Sequence, residues 1–538
     1  MGNQPATLRD VLELSAQQYA GSTALSMIDG QGMTYAQLLT HVRKVQDLLT
    51  RYGVRPGDRV ALLGENMPNW GVAFFAVTTM GAVAVPILPD FHPADIANII
   101  EHAEARAVFV SERLTTKVPE LKNNEVVIML ESFVIIDAQG REEIVVESPR
   151  VPIAGEDLAA IVYTSGTTGH SKGVMLTHGN LVSDAFATRE ITDVNNRDRM
   201  LSILPLAHTY ECTLGLVLPV MVGASVYYLD KPPSAAVLLP ALAKIRPTIM
   251  LSVPLIIEKI YKAKILPELT KTAALRSLYG VTAVRKILHR IAGRKLSKTF
   301  GGRLRIFAIG GAPIAPDVEL FLREAGFPYA IGYGLTETSP LIAGTHPRNT
   351  RYRSTGPALP GTQIRILDPN PETAEGEVVV KGPTVMKGYY RDPERTASVF
   401  TEDGWFKTGD LGVMQDDGYL FIKGRLKNMI LGPSGKNIYP EELETIINEF
   451  DSVRESIVFE QQNRLVALIH LDYEGLQQLF HSLGEVDIRK RVSTLLDDLH
   501  RDINSRVPLY ARIHKLVEHL EPFQKTPTQK IKRHLYIP

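Results

Sequence analysis

The sequence has a single cysteine, Cys212, so no intrachain disulfide or multi-cysteine metal site can form, and a reducing compartment is expected. Cys212 itself is expected to be a small buried apolar residue. Net charge is also missing. The 59 Lys and Arg balance 59 Asp and Glu, which leaves no global basic field to draw nucleic acid or anionic lipid. No apolar run reaches the ~20 residues of a membrane span. The longest, Gly71 to Leu88, is broken by Thr78, Thr79, Gly81 and Pro86 and predicts a buried helix followed by a buried strand. The opening MGNQPATLRDVLELSAQQYA lacks the basic start and apolar stretch of a secretory signal and predicts an amphipathic helix from Thr7. Ala6 stands where a myristoylation pattern needs Ser or Thr. Internal repeats and low-complexity tracts are absent as well.

What is present is a chain of 538 residues, 44% hydrophobic and 22% charged, enough for more than one domain and a sizeable core. Short β-rich runs alternate with helical stretches: Arg59 to Gly64, Ala107 to Ser111, Leu158 to Ser165, Thr248 to Val253 and Leu304 to Gly311. Several are apolar at successive positions, as in strands covered on both faces, which predicts an α/β architecture of layered, mostly parallel sheets. From about Gly361 the runs TQIRILD, GEVVVKG and GYLFIKGR predict a barrel-like subdomain. After Arg425 a small α+β unit is expected, with a helix near Pro440 to Phe450, strands at Ser456 to Glu460 and Arg464 to Leu471, and a helix around Asp487 to Arg506. The boundary is placed at Gly424 to Asn428, giving domains 1–424 and 425–538. The basic run Lys264 to Lys298 reads as a solvated helical face.

The segment Tyr163 to Gly173, YTSGTTGHSKG, follows a strand and precedes a helix-like stretch. Its glycines, hydroxyls and Lys172 form a donor-rich loop suited to polyphosphate. The ATPase pattern G-x-x-x-x-G-K-[ST] is not met, since Lys172 follows Gly169 by three positions and Gly173 takes the Ser/Thr place. A plain glycine-serine surface loop is the bland alternative. The loop resembles the phosphate signature of the adenylate-forming superfamily, which includes acyl-CoA synthetases, peptide-synthetase adenylation domains and firefly luciferase. Four further stretches match in family order: Gly332 to Glu337 (GYGLTE), Gly404 to Asp410 (GWFKTGD), Gly424 to Ile430 with Gly435 to Glu442, and Lys525 to Lys530. The resemblance covers nearly the whole chain.

The resemblance implies roles residue by residue. Thr164, Ser165, Gly166, Thr167, Thr168, Gly169 and Lys172 would hold the β- and γ-phosphates of ATP. Tyr333 would stack on adenine, Thr336 would bond the α-phosphate, and Glu337 would hold Mg²⁺. Asp410 would accept the ribose hydroxyls, with Arg425 in support. Lys530 would bridge the substrate carboxylate and α-phosphate; Gln529 stands before it where the family has Gly. Lys427 matches the hinge about which a mobile C-terminal domain rotates, and Gly435 and Lys436 would line the CoA thiol tunnel.

For the acyl pocket the sequence says less. His208 in LPLAHTYE resembles the position beside the substrate carboxylate, the alternative being a histidine satisfied within the structure. Gly310, Gly311, Ala312 and Pro313 end a strand where backbone must pass close to ligand, with Gly311 and Ala312 taken as contacts. The insertion Thr282 to Arg303 resembles an extra helical segment of long-chain fatty acyl-CoA synthetases. The resemblance therefore implies a cytoplasmic long-chain fatty acid–CoA ligase using ATP, Mg²⁺ and coenzyme A, with no nucleic-acid partner and peripheral membrane contact admitted. A carrier-protein ligase, a ligase for a medium-chain or aromatic acid, and a non-catalytic nucleotide and acyl sensor stay open as alternatives; an ATPase is disfavoured by the missing Walker pattern.

Overall fold

A computed structural model describes residues 5–120, 126–138, 150–164, 171–431, 437–473, 475–476, 485–526 and 530–537. The chain divides into two compact units. The first comprises Met1–Ile364, Val380–Lys407 and Gln415–Leu420, and the second Arg365–Val379, Thr408–Met414 and Phe421–Pro538.

In the first unit, Thr7 opens the helix Leu8–Gln18 by accepting the Asp10 N–H, while the Asp10 carboxylate accepts the Thr7 N–H at 2.9 Å. This reciprocal cap is why the helix begins where the sequence places it. The run from Gly71 to Leu88 is a helix, Pro68–Thr79, followed by a strand, Val83–Ile87, and Gly71 through Thr79 and the whole strand are buried. Among the described residues no helix is long and apolar enough to cross a membrane.

Two sheets dominate this unit. An eight-stranded sheet runs in the order Gly388–Tyr389, Lys172–Thr177, Leu158–Thr164, Val83–Ile87, Arg59–Leu63, Ala105–Val110, Val126–Met129 and Ile135–Asp137. Its interior pairs are parallel, and antiparallel pairs occur toward both edges. A seven-stranded sheet runs Tyr329–Ile331, Ile306–Ile309, Ile249–Ser252, Arg199–Ser202, Ser225–Tyr228, Thr23–Met27 and Met33–Thr34, all parallel except the last pair. Strands with runs of consecutive buried residues, such as Ile249–Ser252, are covered on both faces, which accounts for their unbroken apolar sequence.

The strands expected to give a barrel-like subdomain form an open sheet instead. Its order is Gln363–Leu367, Gly376–Lys381, Phe406–Met414 and Leu420–Arg425, and the first and last strands are not paired with each other. Four strands are too few to close around a core. The second unit also carries a three-stranded sheet, in which Val453–Gln461 pairs antiparallel with Arg464–Leu471 and the latter pairs parallel with Lys515–Glu518. Helix Pro440–Ile447 packs on this sheet through Leu443 and Ile447, and helix Glu485–Arg506 covers it through Val492, Leu499 and Ile503.

The basic run differs in part from the sequence reading. It makes three helices, Leu266–Leu269, Ala273–Tyr279 and Thr282–Thr299, and the last is not solvated all round. His289 and Leu296 are buried, and Arg285 turns to Glu324 of helix Pro316–Ala325 with Nη2 2.8 Å from the carboxylate.

Candidate active site

Strands Leu158–Thr164 and Lys172–Thr177 pair antiparallel, with Thr164 opposite Lys172, so the two candidates at these strand ends stand side by side. Ser165, Gly166, Thr167, Thr168 and Gly169 lie outside the described residues. Lys172 is half-buried, and its Nζ stands over the Tyr389 ring, 5.1 Å from the centroid. The Tyr389 hydroxyl in turn donates to Glu337 Oε1 at 2.9 Å. Lys172 and Glu337, 165 positions apart in the numbering, are thus joined through one aromatic side chain that the sequence reading passed over. Burial, and then the neighbouring Glu337 charge, push the Tyr389 hydroxyl well above its ordinary pKa, so it stays a donor.

Backbone pairing fixes this junction. Gly388 and Tyr389 pair with Met175 and Val174, the Tyr390 N–H donates to the Gly173 carbonyl at 2.8 Å, and the Met386 N–H donates to the Glu337 carbonyl at 2.9 Å. Thr336 and Glu337 open a single helical turn, Thr336–Thr338, in which Glu337 is buried and Thr336 half-buried. A carboxylate and a hydroxyl on one turn are hard oxygen donors. Tyr333 lies in a short strand, half-buried, opposite Ala343. Its neighbour Gly334 must be glycine, because a Cβ there would come within 1.8 Å of the Pro340 carbonyl oxygen. From below, Asp184 of helix His178–Thr192 accepts the Leu341 N–H at 2.7 Å and so holds the return strand. Burial raises the Asp184 carboxyl well above the usual carboxylate range.

Strands Ile249–Ser252, Ile306–Ile309 and Tyr329–Ile331 run in one direction, so their carboxyl ends open together. There the Gly310 N–H donates to Ser252 and the Gly332 N–H to Ile309. Gly311 sits at φ +87°, a conformation that favours glycine, and Gly311, Ala312 and Pro313 are exposed. Gly310 is packed against the Tyr210 ring, where a Cβ would stand 3.3 Å from the ring carbons. His208 is half-buried and caps the turn Thr209–Glu211, its Nδ1 accepting the Tyr210 N–H at 3.2 Å. Beside it a small apolar cavity of about 50 Å³ is walled by Ile191, Leu214, Leu218, Leu251 and Ile306, with Tyr210 the single aromatic ring among its described lining residues. Gly332, just before Tyr333, and Leu341, opposite Gly334, also line it, so the cavity adjoins the GYGLTE segment.

One further group, next in sequence to Tyr210, escaped the sequence reading. Glu211 is buried, and burial pushes its carboxyl up to about 8, against a hydrogen bond with Ser202 that pulls the other way. Its Oε2 has no hydrogen-bond partner among the described residues.

The second unit holds the remaining candidates. Asp410 is buried and pairs with Arg425, Nε to Oδ1 at 2.8 Å. Gly409 at φ +70° supplies the turn before it, and the Thr408 hydroxyl accepts the Asp410 N–H. Lys427 is exposed in the turn Leu426–Asn428 that follows the strand Leu420–Arg425. Gly435 and Lys436 lie outside the described residues. Lys530 is exposed, but its backbone is clamped: the Thr526 N–H donates to the Lys530 carbonyl at 2.7 Å, and the Lys530 N–H donates to Thr526 Oγ1 at 3.2 Å. Three residues on, Arg533 reaches Glu444 Oε1 and the Val458 carbonyl, each at 2.6 Å, which pins the tail to the helix and sheet of its own unit. The structure therefore joins Lys172, Glu337 and Tyr333 to one region of the first unit, and Asp410 to Arg425 in the second.

Comparison with known proteins bears on the same segments. The model of the family described as AMP-binding enzyme matches residues 12–390. The peroxisomal long chain acyl-CoA synthetase 7 of Arabidopsis thaliana is 30% identical over 93% of this chain and 79% of its own. A feruloyl-CoA synthase of an Amycolatopsis species is 32% identical over 79% of each. Among solved structures, an ATP-bound RpMatB-BxBclM chimera superposes with a TM-score of 0.78 at 25% identity over 98% of both chains. The chain belongs to the AMP-binding enzyme family and is an adenylate-forming acid–CoA ligase.

Proposed function

We propose that the acid is a long-chain fatty acid, converted with ATP to an acyl-adenylate and then with coenzyme A to the thioester. The observation that carries this reading is the apolar cavity beside Tyr333 and Tyr210, because branched aliphatic walls suit an alkyl chain better than a charged or hydroxylated acid. The Arabidopsis relative, named a long chain acyl-CoA synthetase, supports it.

In this reading Thr164, Lys172 and the hydroxyl-rich loop 165–169 hold the β- and γ-phosphates, Thr336 the α-phosphate, Tyr333 the adenine, and Asp410 with Arg425 the ribose. Gly311 and Ala312 form the exposed rim, and His208 presents its edge near the carboxylate. A substrate carboxylate oxygen attacks the α-phosphorus, the bond to the β-phosphate oxygen breaks, and pyrophosphate leaves with that electron pair. Positioning and charge neutralisation supply most of the catalysis, since no protein nucleophile is needed. Lys530 offsets the repulsion between the two anions. The CoA thiol, losing its proton, then attacks the acyl carbon and expels AMP, with Gly435 and Lys436 lining its approach and domain 425–538 turning about Lys427 away from domain 1–424.

Among the described residues no three His, Cys, Asp or Glu side chains cluster as a metal cage. Glu337 with Thr336 nevertheless fits Mg²⁺, an ion ordinarily held by one or two carboxylates and completed by substrate phosphates. When bound it would neutralise phosphate charge. The enzyme is placed in a reducing, cytoplasmic setting in keeping with its one buried thiol.

A panel of carboxylic acids assayed for pyrophosphate release with ATP, with and without CoA, tests the reading. Palmitate should be the best substrate, and CoA should be required for thioester but not for adenylate. Ala308→Phe, which fills the cavity, should raise KM for palmitate at least tenfold while sparing butyrate. A preference for ferulate or another aromatic acid, unaffected by Ala308→Phe, would refute it.

A further inference from the structure

We infer that the outward face of helix Thr282–Thr299, with the short helix Ala273–Tyr279 before it, docks on an anionic lipid bilayer. The chain as a whole is neutral, yet residues 261–300 hold ten Lys and Arg against one carboxylate, Glu268. Helix Ala273–Tyr279 buries no residue. Helix Thr282–Thr299 is anchored on one side only, by buried His289 and Leu296 and by the pair of Arg285 with Glu324. At about 3.6 residues per turn, Ile287, Ile291, Arg294 and Lys298 lie opposite His289 and Leu296. The exposures agree: Ile287 is 56% exposed and Ile291 48%, with Val281 at 51% and Leu278 at 47% near the helix start. Lys286, Arg290, Arg294, Lys295 and Lys298 are exposed around and beyond them.

A bilayer is the occupant that uses both features. Phosphates of nucleic acid could take the cations, but they leave exposed aliphatic side chains in water. An interfacial helix buries its apolar residues at the headgroup boundary while its cations meet anionic headgroups. Attraction to a charged surface acts only within about a Debye length of it, so the cations must share the face that docks, as they do here. The helix is not long and apolar enough to span. Docking of this kind is independent of the acid the enzyme activates, since it needs neither ATP nor turnover.

Flotation of the full chain with vesicles of phosphatidylcholine alone, or mixed in equal parts with phosphatidylglycerol, tests the inference. The mixed vesicles should bind at least tenfold more tightly, and the preference should fade as salt is raised. Lys286→Glu/Arg290→Glu/Arg294→Glu should weaken that binding about a hundredfold. The independent variant Ile287→Ser/Ile291→Ser should weaken it about tenfold with all cations retained. Thermal unfolding and pyrophosphate release serve as folding controls. Equal binding to both vesicle types, or wild-type binding by a folded variant of either kind, would overturn the assignment. So would release from vesicles by inorganic phosphate at constant ionic strength, which would make the site one for a soluble anion, or retention of duplex RNA without retention on vesicles.

Discussion

In the first unit Glu337 is 9% exposed, its carboxylate takes a hydrogen bond from Tyr389, and its carbonyl takes one from Met386, so side chain and backbone are both fixed by residues far along the chain. In the second unit Lys530 is exposed and its backbone is fixed, through Thr526 and through Arg533 on Glu444 three residues later. Preorganising a phosphate site calls for groups held before the ligand arrives. A residue that must enter and leave a site calls for a firm base and a mobile side chain. On the proposed roles the two units would divide these requirements between them, and substitutions on either side test that division.

Lys530→Ala should have the largest effect. If the proposed bridging role holds, adenylate formation measured by pyrophosphate exchange should fall about a thousandfold. Thioester formation from supplied acyl-adenylate should change by no more than a few-fold. An equal loss in both half-reactions would remove the distinction between a fixed site and a visiting lysine.

Glu211→Gln probes how far the first unit has gone toward burial. The folded Glu211 carboxyl is raised to about 8, so in the folded state it keeps its proton over a window where the unfolded chain has lost it. Stability from this group is present at low pH and declines as pH rises from about 4.5 through about 8. The glutamine variant lacks that decline. Relative to wild type it should gain roughly 5 kcal/mol between the two ends of the window in denaturant unfolding. A pH-independent difference between the two proteins would show that Glu211 is not held protonated.

Lys427→Pro tests the joint. It restrains the backbone in the turn Leu426–Asn428 without touching any group in the first unit that is proposed to hold phosphate. Thioester synthesis should fall about tenfold more than pyrophosphate exchange. Equal effects would argue that rotation about this residue is not part of the cycle.

Local chemistry made much of the molecule legible from sequence. Thr7 with Asp10 writes a cap into four residues, and the unbroken apolar run at Val83–Ile87 can only be a strand covered on both sides or a buried helix, a choice settled by its length and its valines. The GYGLTE and phosphate-loop stretches could be recognised because their residue types stand close together in the sequence. What stayed hidden depends on pairing over distance. The bond from Tyr389 to Glu337 spans 52 residues, and that from Asp184 to Leu341 spans 157. Neither Tyr389 nor Asp184 stands in a motif that would mark it. A tyrosine just after glycine in a short edge strand was the available signal, and it is a weak one. The cavity was invisible for the same reason, since its walls come from segments between Thr188 and Thr345. For His208 the structure shows a cap on the following turn, so one observed role is structural.

Tyr389→Phe is the finest probe of the contrast between the units, because it deletes one hydroxyl and keeps the ring beneath Lys172. The lost hydrogen bond is to a carboxylate that is buried, which sets its contribution at about 1.5 to 3 kcal/mol if nothing replaces it, and less if water does. Within the proposed mechanism Glu337 would then be free to swing, so the Mg²⁺ concentration for half-maximal pyrophosphate exchange should rise several-fold while KM for the acid stays put. Removing the ring as well, in Tyr389→Ala, should add a rise in KM for ATP as Lys172 loses its support. If Tyr389→Phe instead behaves like the wild type, the hydroxyl is silent, and Glu337 is held through its backbone, where its carbonyl accepts the Met386 N–H.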